Sequence, residues 1–288
     1  MYNQNSDQTY LNDWDLMTIR LKDIDKKMGD FDWRVFEIIA ASGVSEEKDA
    51  KETVINTLIQ ENRLCISEDT AWRSIKSLVK IGIYDAEKMS TGYRNFNILK
   101  ITDVGKQLYR LRHRKEPPTQ EHRLLIKEHA SLLHGYMIKD VAQILKKRDC
   151  YKMVSTSRKK NLIKLSDGRS LIPDVICVRE NETIDCYEVE CGNHHQSDFN
   201  AKCSKLIAFR NVIMIGQNRA RITRILKPQV EEWIRVVGKN RLYMSGTKVY
   251  LYSIFDFAKG RITYYYDMVT DEPVCCFKKE RKEDKDHV

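Results

Sequence analysis

No stretch of the 288 residues approaches the roughly 18–20 consecutive apolar positions that a membrane span requires. No membrane partner is expected. The opening residues, "MYNQNSDQTYLNDWDLMTIRLKDID", lack the basic start and apolar core of a secretion signal, so a cytoplasmic location is expected. In that compartment the eight cysteines are expected as thiols or metal ligands, not as disulfides. The chain has no CxxC and no HxxxH pair, the spacings that mark ordinary zinc sites. Internal repeats and low-complexity segments are also missing, which excludes a repeat array.

What is present suits a folded chain with a sizeable core: 42% hydrophobic and 32% charged residues. The formal net charge is +9. That balance favours a polyanionic partner, nucleic acid above all.

The polar, basic stretch "RLRHRKEPPTQEH" marks a boundary, because Pro117-Pro118 forbids a continuous helix there. The expected organisation is an N-terminal extension over residues 1–30, a first domain over 31–115, a second over 119–277, and a charged, disordered tail over 278–288.

In the first domain, Phe31, Val35, Ile38 and Ile39 recur at helical spacing over residues 31–42, and Val54, Ile55, Leu58 and Ile59 do so over 49–61. After the link "NRLCI", Ser67 is a good N-cap for a third helix, "EDTAWRSIKSLVKIG". Trp72, Ile75, Leu78 and Val79 form its expected buried stripe, and Gly82 is placed to end it. Two strands around Ser90-Thr91-Gly92 follow, then a helix from about Thr102. Three helices and a hairpin in this order are the winged helix-turn-helix plan, and "T-x-x-R-x-[IV]-x-x-L-x-x-x-G" with "[IL]-T-x-x-G" after it resembles many bacterial winged-helix proteins. The third helix would then enter the major groove of duplex DNA. Thr70, Arg73, Lys76 and Lys80 lie off the buried stripe, and Lys88 and Arg94 in the wing would contact phosphates.

The second domain reads as one long helix over 119–147, with Leu124, Leu125, Leu132, Ile138, Val141 and Leu145 as its core face. The strands "YKMVST", "LIPDVICVRE" and "TIDCYEVEC" follow, then a helix through Phe199, Cys203 and Leu206. Next come the unalternating strand "NVIMIGQ", expected to be parallel and central, a helix that Pro228 should kink or split, and a late strand "KVYLYSIFDF". The fold class expected is α/β, α+β overall.

Asp174 starts or lies early in one of these strands, and Glu188 and Glu190 share one face of the next, because alternate residues point the same way. Three converging carboxylates repel one another, and such a cluster usually binds a hard cation, Mg²⁺ or Mn²⁺. That cation would activate water and stabilise charge on a phosphodiester. The pattern "P-D, spacer, E-V-E" after a helix and before a lysine-bearing helix resembles the PD-(D/E)xK nuclease superfamily. The resemblance implies an αβββαβ core in which Asp174 and Glu188 take the acidic positions. Glu190 stands where that family carries its lysine, so it becomes a third metal ligand or the mark of a site that no longer cuts. Some members supply the lysine from the next helix, which points to Lys202 or Lys205, and some use a carboxylate from the first helix, which points to Glu128 or Glu121. With the winged helix in front and "EVECG…FNAKCSKL" behind, the chain resembles the replication-relaxation family of plasmids and conjugative elements through Glu188, Glu190, Gly192, Lys202 and Lys205. Endonuclease subunits of some transposons share similar parts.

Cys186, Cys191, His194, His195 and Cys203 also cluster, but Cys186 and Cys191 should face opposite sides of an extended strand, and buried cysteine is a common core residue. The histidines are expected on the loop near the acidic cluster.

The expectation is a DNA-binding mobile-element protein with a Mg²⁺-dependent endonuclease domain acting on duplex DNA in replication, mobilisation or transposition. Its expected partners are double-stranded DNA, a relaxase or transposition protein, and a second copy of itself as homodimer. The alternative is an inactive relaxosome or replication accessory, or a repressor, that keeps the nuclease fold as a scaffold. Arg219, Arg221 and Arg224, at a helix start, suit phosphate contact in either case.

Overall fold

The apolar spacing of the first third folds as helices with recognisable ends. In the computed structural model, which describes residues 13–61, 66–129, 131–192, 194–266, 268 and 274–275, α1 (Asp13–Lys27) precedes α2 (Asp30–Ser42), α3 (Glu47–Gln60) and α4 (Glu68–Lys80). Residues 62–65 of the "NRLCI" link, residues 1–12 of the extension and the charged tail lie outside the described residues. Gly43, at φ 70°, ends α2 in a left-handed turn that a side chain would strain. The Ser67 side chain accepts the Thr70 N–H and starts α4.

A hairpin of β1 (Tyr84–Ser90) and β2 (Asn95–Ile101) follows, then α5 (Asp103–His113), whose first turn is capped by Thr102. A backbone hydrogen bond from Leu99 to Ser45 adds a third extended segment beside β2. Val35, Phe36, Ile39, Val54, Leu58, Ile75, Leu78, Ile83 and Tyr84 close one core here. Trp72 is not in it: the ring is 40% exposed, with the Lys76 ammonium 3.7 Å above it. On α4 the stripe shifts to Ala71, Ser74, Ile75 and Leu78. Ser74 and Ser77 there donate to Asp32, on the side of α4 that meets α2. Ile59 is likewise exposed.

The chain divides into two compact units, residues up to Met89 with Phe96–Leu124, and Ser90–Asn95 with the residues from Leu125 on. α6 (Glu121–His129) runs across the division.

In the second unit the expected long helix is two. Ser131 caps a new helix, α7 (Leu132–Lys146), by accepting the His134 N–H at 3.2 Å. Leu124, on α6, is exposed and is not a core residue. Then come β3 (Tyr151–Ser155), a small hairpin of β4 (Ile163–Lys164) and β5 (Ser170–Leu171), β6 (Val175–Arg179), β7 (Ile184–Glu190) and α8 (Gln196–Leu206). The expected strand over 171–180 breaks at Ile172-Pro173-Asp174, because proline has no N–H to donate to a ladder. Asp174 therefore stands just before β6.

β8 (Asn211–Gly216) is parallel to both neighbours, β7 and β9 (Lys248–Ser253). Between them α9 (Arg219–Arg221), a wide π turn (Ile222–Leu226) and α10 (Lys227–Val237) run on, followed by α11 (Lys239–Met244). Pro228 falls in the first turn of α10, directly after the π turn and within one continuous helical run, so the helix is widened there and not split. The expected late strand stops at Ser253, whose side chain caps a short helix, α12 (Ile254–Ala258). β10 (Tyr264–Tyr266) and β11 (Val274–Cys275) complete a seven-stranded mixed sheet in the order β11-β10-β9-β8-β7-β6-β3.

Side-chain alternation divides the second unit's core between the two faces of this sheet. Val175, Cys177, Tyr187, Val189 and Ile215 face α7 and α12. Ile176, Cys186, Val212, Met214, Val249 and Leu251 face α8, α10 and α11, where Trp233 is the largest buried residue. The molecule is mixed α/β, α+β in organisation. Among the described residues no helix is long and apolar enough to cross a membrane.

Candidate active site

β7 lies inside the sheet between β6 and β8, and its alternation puts Glu188 and Glu190 on the face shared with Cys186, toward α8. Both are buried, Glu188 completely. β6 and β7 are antiparallel with Val175 opposite Tyr187. One step outward along that register brings Asp174 level with Glu188. Asp174 Oδ2 accepts the Val189 N–H at 2.9 Å, which continues the ladder by side chain where the strand has stopped.

α8 crosses this face and supplies Lys202. Its Nζ donates to Glu190 Oε1 at 2.8 Å and stands 2.6 Å from Glu188 Oε2. The second contact is an ion pair off the line of a hydrogen bond, and neither Glu188 oxygen has an aligned donor among the described residues. A wholly buried carboxylate in that condition is costly unless something charged shares it. Burial pushes the Glu188 carboxyl up, and Asp174 and Glu190 add to the push against the pull of Lys202. For Lys202, burial opposes the charge, but Glu188, Glu190 and Asp174 outweigh it and hold the ammonium well above its usual range.

The structure adds His134, which the sequence reading passed over. Its Nε2 lies 2.9 Å from Val189 O and 3.3 Å from Asp174 Oδ2, and its Nδ1 lies 3.2 Å from His129 O. Every one of these neighbours is an acceptor, a setting that favours the doubly protonated ring. Burial works against that charge, but the Asp174 hydrogen bond and charge, with His129 O, raise the ring above its ordinary value. Asp174 itself is opposed by burial yet held down to about 2 by His134, Lys202 and the Val189 N–H.

His129, His134 and Asp174 each offer an atom within 4.8 Å of the others. It is the one group of three such ligand atoms among the described residues, and a metal there would compete with the proton that Asp174 favours on His134.

Of the sequence candidates, Glu188, Glu190 and Lys202 come together, while Asp174 bonds to His134 and the Val189 N–H and, among the described residues, does not close with Glu188 and Glu190 into a group of ligand atoms within 4.8 Å of one another. Lys205, one turn further along α8, makes no hydrogen bond or ion pair with them among the described residues. The Glu128 carboxylate is exposed and lies 3.8 Å from Nε2 of His129, the neighbour of His134 and Asp174, and makes no hydrogen bond or ion pair with Glu188, Glu190 or Lys202 among the described residues. Glu121 belongs to the first unit. His194 Nε2 reaches Glu190 Oε2 at 3.4 Å from the loop, and His195 is exposed at the start of α8. Cys186 and Cys203 sit in the core on the α8 face, whereas Cys191 packs on the opposite face with its Sγ 3.8 Å from Met137 Sδ.

Two glycines let the surroundings close. A side chain at Gly192, φ 72°, would meet Ile225 Cγ2 at 2.9 Å, and one at Gly216 would meet Ile222 Cγ1 at 2.8 Å. Both isoleucines come from the π turn, which is thereby seated against the ends of β7 and β8. Arg219 does not reach into the site. It holds the buried Asp256 through two hydrogen bonds of 2.8 and 2.7 Å.

In the first unit Thr70, Arg73, Lys76, Lys80 and Lys88 are exposed. Arg73 pairs with Asp69 on its own helix, and the Thr70 hydroxyl lies 2.9 Å from Ser67 Oγ. Arg94 departs from the phosphate-contact reading. It belongs to the second unit, where its Nε donates to the buried Asp140 at 2.7 Å beside Thr91, whose hydroxyl donates to the same carboxylate at 2.6 Å. Drawing Arg94 away would leave the Asp140 charge buried with one partner fewer, which is costly.

Comparison with protein-family models, with curated proteins and with solved structures returns no match.

Proposed function

We propose that this chain is a DNA-binding protein of mobile-element type, in which the first unit docks on duplex DNA as a winged helix and the second hydrolyses phosphodiester bonds at a PD-(D/E)xK-like site. The observation that carries the reading is the buried Glu188 carboxylate, which has no aligned hydrogen-bond donor and sits beside Asp174, Glu190 and Lys202. A buried carboxylate whose one ion-pair partner among the described residues, Lys202, is shared with Glu190 suits a hard divalent cation. Asp174 and Glu188, with Glu190 adjoining, would hold Mg²⁺ or Mn²⁺, which when bound supplies a more acidic water and stabilises negative charge on phosphate.

The chain's own residues do the rest. Val189 N and His134 fix the orientation of Asp174. Lys202 takes the place of the lysine that Glu190 displaces from β7, and its ammonium stands where it would orient an attacking water or meet a phosphate oxygen. Support for the winged-helix reading is the order α2-α3-α4-β1-β2 and the exposed Thr70, Arg73, Lys76 and Lys80 on α4. A relaxase or transposition protein as partner, and a homodimer for paired cuts, follow from the same reading.

A second reading has its own observation. Lys202 already compensates both Glu188 and Glu190, which is how a retired site would be kept folded as a scaffold for a replication accessory or repressor. Plasmid nicking separates the two. Wild-type protein with Mg²⁺ or Mn²⁺ should relax supercoiled plasmid, and Asp174→Ala and Glu188→Ala should each lower the rate at least 100-fold while DNA binding persists. Binding without cleavage under either metal supports the scaffold.

A further inference from the structure

From Tyr151 to Ser166 the chain carries five lysines and arginines and no acidic residue. Lys152 pairs with Glu182. The others concentrate in and just after the turn that follows β3, Ser157-Arg158-Lys159-Lys160, which closes on itself through backbone hydrogen bonds from Lys160 and Asn161 to Ser157 O. Lys159 and Lys160 are exposed and have no carboxylate partner among the described residues.

This turn is built onto the candidate site. Asn161 is fully buried, and its amide donates to Pro173 O at 3.0 Å and reaches Ser155 O at 3.2 Å and Asp174 O at 3.4 Å. The turn and the Asp174 segment are thus one body. On its other side Arg158 Nη1 donates at 2.8 Å to Glu128 O, next to His129. Exposed lysines are common, but a basic turn anchored by a buried side chain to the backbone of a catalytic carboxylate is a positioned charge. The site itself holds the Asp174, Glu188 and Glu190 carboxylates beside Lys202 and His134. Cations flanking it would draw a polyanion toward it.

We propose that the Arg158–Lys160 turn is a phosphate clamp that grips the phosphodiester backbone of the nucleic acid presented to Asp174 and Glu188. The clamp rests on the nuclease reading for the bond it presents. Its grip on the backbone stands apart from whether that bond is cut. Each lysine that neutralises a phosphate releases condensed counterions, so the clamp has a defined signature in salt dependence.

The test uses the full chain and a fluorescein-labelled duplex, read by anisotropy without divalent cation across a salt series. Lys159→Ala with Lys160→Ala should lower the slope of log affinity against log salt by about 1.8, at about 0.9 per phosphate contact. The control is Lys146→Ala with Lys147→Ala, the same change of charge at the far end of α7, roughly 18 Å along the helix from His134. It should leave the slope at the wild-type value. An unchanged slope in the Lys159/Lys160 variant overturns the clamp, as does an equal loss in the control. Because no cleavage is read, a slope that falls in an enzyme that never nicks keeps the clamp and removes the nuclease. Nicking with an unchanged slope does the reverse.

Discussion

At the scale of single residues, the site is a balance of buried charge. Lys202 stands against Glu188 and Glu190, both buried. Removing one partner of a buried pair leaves an uncompensated charge and typically costs about 3–5 kcal/mol. Lys202→Ala is expected at the low end, about 3 kcal/mol in urea unfolding at neutral pH, because burial already favours the protonated form of Glu188. The deficit should shrink as pH falls, since a proton on Glu188 removes the unpaired charge. His122 gives an independent pH signal in the first unit. Burial first, then Lys100 and Arg123, hold it from its ordinary 6.5 down to about 4. The unfolded chain therefore takes up this proton at higher pH than the folded one. Its contribution to stability is complete above about pH 6.5 and is lost as pH falls toward about 4. Thermal melts from about pH 7 to about pH 4 should decline less steeply in His122→Gln than in wild type. Strand alternation alone was enough to pair Glu188 with Glu190 and to turn Cys186 and Cys191 apart. Asn161 was not legible that way, because its partners are backbone carbonyls, which no side-chain pattern encodes.

Among the elements, capping decided what periodicity could not. A continuous apolar pattern over 119–147 reads as one helix, but Ser131 competes with it by capping α7. That break is why His134 went unseen. On one unbroken helix His129 and His134 would lie roughly 140° apart, whereas the restart sets their rings 5.8 Å apart, with His134 Nδ1 against His129 O. Ser131→Ala should cost about 0.5–2 kcal/mol in thermal or chemical unfolding. It should also loosen the hold on Asp174. The hairpin turn offers a second case. Arg94 looked like a free wing cation because its partner, Asp140, lies 46 residues away in sequence. Arg94→Ala is expected to cost about 1.5–3 kcal/mol, the range of a hydrogen bond to a charged group. Its effect on the salt slope of DNA binding should be small beside that of the α4 lysine and arginine. Pro228 was legible as a disturbance but not as its remedy, since a π turn depends on the packing of Ile222 against Gly216 and Ile225 against Gly192.

For the whole molecule, the buried carboxylates of the candidate site lie in the second unit, where the parallel strands of its mixed sheet end. β7 and β8 stop side by side at Glu190 and Gly216, and α8 brings Lys202 over that edge. The winged-helix reading predicts that Arg73→Ala with Lys76→Ala weakens duplex binding and lowers its salt slope by up to about 1.8, with little change in the folded state. If affinity and slope both stay at the wild-type value, the first unit does not dock on DNA by α4. The central claim is that Lys202 completes the site that Glu190 would otherwise leave without its lysine. It is tested most directly by timing the nicking of supercoiled plasmid in Mg²⁺ for wild type, Lys202→Met and Lys205→Met, all folded by circular dichroism. The account predicts nicking by wild type and Lys205→Met and a loss of at least 100-fold in Lys202→Met. Nicking by Lys202→Met at the wild-type rate, or none by any of the three, would contradict it.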